Sequence, residues 1–175
     1  MKYSIKICGI TSENDLKAAQ QLGANFVGFV LVEKSKRFIN LKKLELLSKI
    51  VSKPLKSVAL LADPSDDLLE KLLSKSKVDY IQLHGDESPE RVEEIAKITK
   101  VPLIKAIGVE KNSDLLNIRY YERFADYMLL DSKIKESVLE PFWLQLITES
   151  SQLLDYSLDE FMIKWYSPNR LTYTI

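Results

Sequence analysis

The sequence contains one cysteine, one histidine and five glycines, and it carries no excess of either charge. A single cysteine excludes an internal disulfide, and one cysteine with one distant histidine makes none of the closely spaced ligand sets of structural zinc sites. Lysine plus arginine equals aspartate plus glutamate, at 25 residues each. No overall field therefore attracts nucleic acid or an anionic membrane. We expect no metal site, no nucleic-acid partner and no membrane partner.

Long hydrophobic runs and glycine-rich nucleotide loops are also missing. No stretch approaches the roughly 18 apolar residues of a transmembrane helix, and the amino terminus lacks the apolar segment of a secretory signal. Neither the phosphate-binding P-loop pattern nor the dinucleotide-binding pattern GxGxxG occurs. These absences predict a cytoplasmic protein that uses no cofactor.

What the chain does contain is an alternation of apolar runs and helical patterns. With 175 residues and 46% hydrophobic content, we expect a single domain over residues 1–175. Six continuously apolar runs predict buried parallel strands covered by helices, which is the α/β class. The repeat of about 25 residues fits a (β/α) barrel, and a doubly wound open sheet fits it equally well. The runs lie near residues 3–8, 26–31, 57–61, 79–83, 102–106 and 126–131.

Capping residues mark where the intervening helices begin and end. Polar side chains that accept backbone N–H groups precede amphipathic stretches, and a glycine stands where the first helix should stop. Helix starts are expected at Ser12 or Thr11, at Asn40, at Ser88 before Pro89, and at Asn112–Asp114, and the glycine stop is Gly23.

Six short motifs follow one another along the chain: KICGIT at 6–11, VGFV at 27–30, SKR at 35–37, QLHGDE at 82–87, IKA at 104–106 and LLD at 129–131. Together they resemble the phosphoribosylanthranilate isomerase family of tryptophan biosynthesis. The resemblance covers residues 3–133 and implies a (β/α)8 TIM-barrel-like fold. At 175 residues the barrel is expected to be incomplete, with about six to seven βα units.

Residues 132–175 form an atypical C-terminal segment in this interpretation. The sequence predicts a helix at about 142–154 and a strand at 161–166, and no eighth strand. No glycine follows Gly108, whereas the resemblance implies glycine-rich loops that hold a ribose phosphate in this part of the chain. The motifs therefore assign no phosphate-binding residue here.

Two residues at predicted strand ends are candidates for acid and base chemistry. By itself, Cys8 fits a small buried hydrophobe, and Asp131 fits a helix cap. The resemblance implies instead that Cys8 is the general base, which acts as a thiolate, with Lys6 as a nearby cation. It implies that Asp131 is the general acid, and burial at a barrel mouth would favour the protonated carboxyl that this role needs.

Further polar residues follow other predicted strands. Arg37 fits a solvated loop charge, but the resemblance implies that it binds the anthranilate carboxylate, which suits a planar two-pronged donor. Gln82 and His84 are expected to line the substrate site, although a lone histidine is more often structural. Lys105 is either a Schiff-base lysine or a lysine in a polar layer of the barrel.

The resemblance thus implies an enzyme, an intramolecular oxidoreductase that interconverts aldose and ketose. It would rearrange N-(5'-phosphoribosyl)anthranilate, a small-molecule sugar phosphate, without any cofactor. An alternative remains: a truncated, non-catalytic family member that acts as a binding or self-associating barrel fragment. Because an incomplete barrel exposes strand edges, a homodimer is expected to cover them.

Overall fold

The computed structural model of the protein describes residues 4–132, 161–164 and 173–174. Its strands form one closed barrel in the order of the sequence. The strands are β1 Lys6–Cys8, β2 Phe26–Val30, β3 Lys56–Leu61, β4 Tyr80–Leu83, β5 Leu103–Val109, β6 Tyr127–Ser132, β7 Phe161–Lys164 and β8 Tyr173–Thr174. The first six match the six predicted runs, and the predicted TIM-barrel-like α/β fold is confirmed.

Strands β1 to β7 pair in parallel, each with the next along the chain. Strand β7 lies within the segment 161–166 that the sequence predicts as a strand. The expectation of no eighth strand is wrong, because β8 pairs antiparallel with both β1 and β7. A strand of two residues in antiparallel pairing needs no helical crossover, and so carries little signal in the sequence. The helix predicted at 142–154 lies outside the described residues.

Five helices and one 3-10 turn connect the first six strands. The elements are α1 Glu13–Gln21, α2 Leu41–Ser48, α3 Asp66–Lys75, α4 Pro89–Thr99, a 3-10 turn Asn112–Asn117 and α5 Ile118–Tyr121. Three of the four predicted helix starts are confirmed, because the side chains of Ser12, Asn40 and Ser88 each accept a backbone N–H. None of the helices in the described ranges is long and apolar enough to cross a membrane.

The segment after β5 differs from the single helix that the sequence predicts. The Asp114 carboxylate accepts the backbone N–H groups of Glu110 and Lys111, at 2.9 and 3.1 Å. These bonds cap the start of the segment, which begins as a 3-10 turn. Only the last four residues, Ile118–Tyr121, are α-helical.

The apolar side chains form cores on both faces of the sheet. Alternate residues of each strand point to opposite faces, so one set fills the barrel and the other packs beneath the helices. The outer cores include Leu16, Leu44, Leu69 and Ile95 from the helices. The barrel interior is filled by Phe26, Val58, Tyr80, Ile104, Ala106 and Leu129. The inner cluster Cys8, Val30 and Leu60 lies above them, towards the carboxyl ends of the strands.

Candidate active site

Cys8 is the last residue of β1, and its side chain is buried against Val30 and Leu60. In the parallel pairing of β1 with β2, Cys8 lies opposite Gly28. A Cβ atom at Gly28 would lie 2.7 Å from the Cys8 Sγ atom, which is closer than these atoms can approach. Glycine at this position therefore leaves the space that the thiol occupies.

Arg37 lies directly over the end of β1. Its Nη1 atom donates a hydrogen bond to the Cys8 carbonyl oxygen at 3.0 Å. The backbone of Gly9 has a φ of +89°, and a Cβ there would lie 2.3 Å from the Arg37 Cδ atom. Glycine is required here both by its conformation and by the approach of the arginine. Within the described residues, no carboxylate forms an ion pair with Arg37, so its charge is available for an acidic ligand.

His84, Gln82 and Asp131 lie together on the opposite side of the barrel mouth. The His84 Nε2 atom is 2.9 Å from Asp131 Oδ2, and its Nδ1 atom is 2.9 Å from Gln82 Nε2. The Lys6 ammonium donates in turn to Gln82 Oε1. A continuous chain of hydrogen bonds thus runs from β1, through β4 and the loop after it, to the end of β6.

A buried ion pair holds the loop after β4 in place. The Lys105 Nζ atom is 2.7 Å from Glu87 Oε2, and both side chains are at most 3% exposed. Lys105 also donates to the Gly85 carbonyl oxygen at 2.8 Å. The other Glu87 oxygen accepts the backbone N–H groups of Asp63 and Gly85. This pair holds the segment that carries His84.

Neither role considered for Lys105 in the sequence matches its position. Its strand neighbours Ile104 and Ala106 belong to the barrel interior, so Lys105 points to the outer face of the sheet. There it forms the Glu87 ion pair, outside the barrel mouth. It is therefore neither a Schiff-base lysine nor a member of a polar layer inside the barrel.

Tyr121 of α5 packs against the same loop. Its hydroxyl donates to the Glu87 carbonyl oxygen at 3.0 Å, and the Lys105 Nζ atom lies 5.4 Å from its ring centre. Burial raises the pKa of the Tyr121 hydroxyl, and the negative charges of Glu87, Glu90 and Asp86 raise it further. The hydroxyl therefore remains a donor to higher pH than an exposed tyrosine.

The five predicted site residues thus fall into two contact groups at the carboxyl ends of the strands. Cys8 and Arg37 form one group, and Gln82, His84 and Asp131 form the other. Sequence reasoning missed the bond from Lys6 to Gln82, although an inward position for Lys6 follows from its spacing of two residues from Cys8. The described residues contain no cluster of three or more His, Cys, Asp or Glu side chains that could hold a metal ion.

Comparison with known proteins gives one consistent family. Residues 5–138 match the family model for N-(5'-phosphoribosyl)anthranilate isomerase. The isomerase of Cereibacter sphaeroides is 40% identical over 129 residues, which are 74% of this chain and 61% of that protein. The isomerase of Rhodopseudomonas palustris is 36% identical over 141 residues, or 81% of this chain and 66% of that protein. The chain thus spans less than two thirds of the length of these relatives.

A solved structure agrees with the sequence relatives. The crystal structure of phosphoribosyl anthranilate isomerase from Thermotoga maritima superposes with a TM-score of 0.68 and 32% identity. The superposition covers 75% of this chain and 62% of that one. The similarity therefore includes both the sequence motifs and the barrel that positions them.

Proposed function

The chain belongs to the N-(5'-phosphoribosyl)anthranilate isomerase family, and from this membership we propose that it catalyses the Amadori rearrangement of N-(5'-phosphoribosyl)anthranilate in tryptophan biosynthesis. The product is the carboxyphenylamino-deoxyribulose phosphate. One observation carries the proposal: the motif residues Cys8, Arg37 and Asp131 all lie at the carboxyl ends of barrel strands or in the loop that follows. This edge is where barrel enzymes carry their active sites.

In the proposed mechanism, Asp131 donates a proton to the furanose ring oxygen. The bond between that oxygen and C1' breaks, and the nitrogen lone pair forms an iminium with C1'. Cys8, as a thiolate, removes the proton from C2', and the electrons of the C–H bond form the enolamine. The enolamine then tautomerises to the ketone. Since the iminium of the substrate accepts the electrons, the reaction needs no cofactor.

Arg37 is the proposed partner of the anthranilate carboxylate. Its hydrogen bond to the Cys8 carbonyl oxygen holds the guanidinium at the end of β1, so the aromatic end of the substrate would lie near Cys8. Gln82 and His84 are proposed to line the site on the side of Asp131, as their hydrogen bonds to each other and to Asp131 support. The proposal assigns no residue to the phosphate group.

We also propose that the chain self-associates and that it is cytoplasmic. One relative that is 31% identical, from Thermotoga maritima, is described as a dimeric isomerase. The closed barrel leaves no open strand edge among the described strands, so the homodimer that we propose for this chain rests on that relative. Light scattering after gel filtration should give twice the mass of one chain at micromolar concentration, and one chain mass at every concentration would contradict the dimer.

Growth of a tryptophan auxotroph that lacks this isomerase tests the proposed activity. The whole chain should restore growth without tryptophan, whereas Cys8→Ser and Asp131→Asn should not. Asp67→Asn is the matched control, because Asp67 is an exposed carboxylate paired with Lys71 on α3, and it should restore growth. Soluble, folded protein that fails to support growth would reject the isomerase and favour the non-catalytic alternative.

A further inference from the structure

We propose that Lys6 and Gln82 are positioning residues that fix His84 as its Nε2–H tautomer and thereby set which oxygen of Asp131 carries the acidic proton. The tautomer follows from the hydrogen bonds alone. Its consequence for Asp131 rests on the function proposed above.

Lys6, as an ammonium, can donate hydrogen bonds but cannot accept them. Lys6 binds the side-chain amide of Gln82, and both side chains are only 1% exposed. The amide atom that faces Lys6 must therefore be the acceptor, which is the carbonyl oxygen. This contact fixes the orientation of an amide that could otherwise be turned over.

The orientation of the amide then determines the protonation of the ring. With its oxygen towards Lys6, Gln82 presents its NH2 group to His84 Nδ1 at 2.9 Å. An NH2 group only donates, so Nδ1 must carry the lone pair. A proton on Nδ1 would place two donors against each other, whether or not Nε2 is also protonated. The ring proton therefore belongs on Nε2.

The hydrogen bond between His84 and Asp131 in turn determines where the Asp131 carboxyl can carry its proton. The Nε2–H group lies 2.9 Å from Asp131 Oδ2 and donates to it. A carboxyl proton on Oδ2 would meet this N–H, so the acidic proton is directed to Oδ1. In the proposed reaction, Oδ1 is then the atom that protonates the ring oxygen of the substrate. Lys6 and Gln82 act on this step through His84, without contact with the reacting atoms.

Nitrogen NMR of the imidazole ring tests the assignment, and the sequence makes the experiment simple because His84 is the only histidine. Histidine labelled with 15N in the whole chain gives one pair of ring nitrogen signals. Their couplings to the ring C–H protons identify each nitrogen. We expect a protonated Nε2 and an unprotonated Nδ1. A protonated Nδ1 in the wild-type protein, alone or together with Nε2, would overturn the proposal.

The Gln82→Glu variant should reverse the tautomer. A carboxylate of the same shape can accept from Lys6 with one oxygen and from Nδ1–H with the other, so the proton should move to Nδ1. Gln20→Glu is the matched control, because Gln20 lies on α1 and binds the exposed Ser52. In this variant the His84 ring signals should be those of the wild type. A folded Gln82→Glu protein with the wild-type tautomer would contradict the proposal.

Lys6 gives a second, independent test. Lys6→Met removes the constraint on the amide and should give signals of both tautomers. Lys6→Arg keeps a side chain that only donates, and it should retain the Nε2–H form. A folded Lys6→Met protein with a single Nε2–H tautomer would show that the lysine does not set the ring, and would overturn its part in the proposal.

Kinetics separate this proposal from the proposed function. We expect Gln82→Glu to lower kcat about 10- to 100-fold, because misplacement of a reacting group can cost about 100-fold in rate, with a much smaller change in KM. Wild-type protein with the Nε2–H ring but no turnover would reject the isomerase and leave the tautomer standing. Turnover with an Nδ1–H ring would reject the tautomer and leave the isomerase standing.

Discussion

The position of the Cys8 thiol is set by the neighbouring strand, where Gly28 has no side chain. The two residues face each other in the β1–β2 pairing, and a Cβ at residue 28 would overlap the sulfur atom. Because the surrounding cluster with Val30 and Leu60 is buried, the thiol has little room to move aside. The glycine in the VGFV motif is therefore explained by the thiol beside it.

A methyl group at this position should displace the Cys8 thiol, the proposed general base. We expect Gly28→Ala to lower kcat about 100-fold, the order that a general base contributes, and to reduce stability by about 1–3 kcal/mol through overpacking. Gly23→Ala is the control, since its positive φ costs stability while a Cβ there meets no atom within 4 Å. Steady-state kinetics and urea denaturation measure both effects. A folded Gly28→Ala protein with wild-type kcat would show that the thiol does not occupy this position.

At the scale of single residues, the sequence singled out the five site residues, including Gln82 and His84, but not the bond from Lys6 to Gln82. Cys8, Arg37 and Asp131 are recognisable because each belongs to a local motif at the end of an apolar run. The contact between Lys6 and Gln82 joins residues 76 positions apart. It depends on how the strands are placed around the barrel, which no local pattern specifies.

The loop after β4 depends on a buried ion pair for its position. Glu87 accepts two backbone N–H groups with one oxygen and the Lys105 ammonium with the other. Removal of one partner of a buried pair leaves the other charge without compensation, which costs about 3–5 kcal/mol. Replacement of either Glu87 or Lys105 should therefore destabilise the loop that carries His84.

A double-mutant cycle tests this dependence. Glu87→Gln should reduce the free energy of unfolding by about 3–5 kcal/mol. Because Lys105→Met removes the stranded cation, the double variant should lose less than the sum of the two single changes. Glu93→Gln, which breaks an exposed pair with Lys97 on α4, should change stability by less than about 1 kcal/mol. Strict additivity in urea denaturation would show that the buried pair contributes no coupling.

Tyr121 makes the same loop sensitive to alkaline pH. Burial, followed by the negative charge of Glu87, raises the pKa of its hydroxyl in the folded protein. An unfolded tyrosine loses its proton near pH 10, so at higher pH the folded state holds more protons and the free energy of unfolding falls as pH rises. This contribution is fully present below about pH 10.

In the Tyr121→Phe variant, stability should fall less as the pH rises. We expect its free energy of unfolding to be about 1 kcal/mol lower at neutral pH, from the lost hydrogen bond to Glu87, with a smaller further decrease above about pH 10 than in the wild type. Tyr120→Phe is the control, because Tyr120 is 64% exposed, and it should follow the wild-type curve. If the free energy of unfolding falls equally with pH in the wild type and in Tyr121→Phe, the fall does not come from Tyr121.

Helices and strands were predictable from the sequence where local interactions determine them. Ser12, Asn40 and Ser88 are capping residues by type and position, and the six apolar runs match the first six strands within a few residues. The segment after β5 is a 3-10 turn followed by a short helix, and the capping residues at 112–114 do not distinguish this from a single helix. The outward position of Lys105 was missed because a buried lysine requires a partner, Glu87, that follows a different strand.

At the scale of the whole molecule, the eight strands close into one barrel. The antiparallel β8 pairs with β1 and β7, so the first strand gains a hydrogen-bonded neighbour on its other edge. The sequence indicated six strands and a seventh candidate through their apolar runs. A pair of residues such as Tyr173 and Thr174 has no periodicity from which a strand could be predicted.

The central claim is that Cys8 and Asp131, contributed by β1 and β6 of one barrel, rearrange the same substrate. The most direct test is turnover of N-(5'-phosphoribosyl)anthranilate by the purified chain, measured as the appearance of the carboxyphenylamino-deoxyribulose phosphate. We predict turnover by the wild type, with kcat lowered about 100-fold or more in Cys8→Ser and in Asp131→Asn while each protein stays folded. A folded wild-type protein that produces the ketone no faster than the reaction without enzyme would contradict the account.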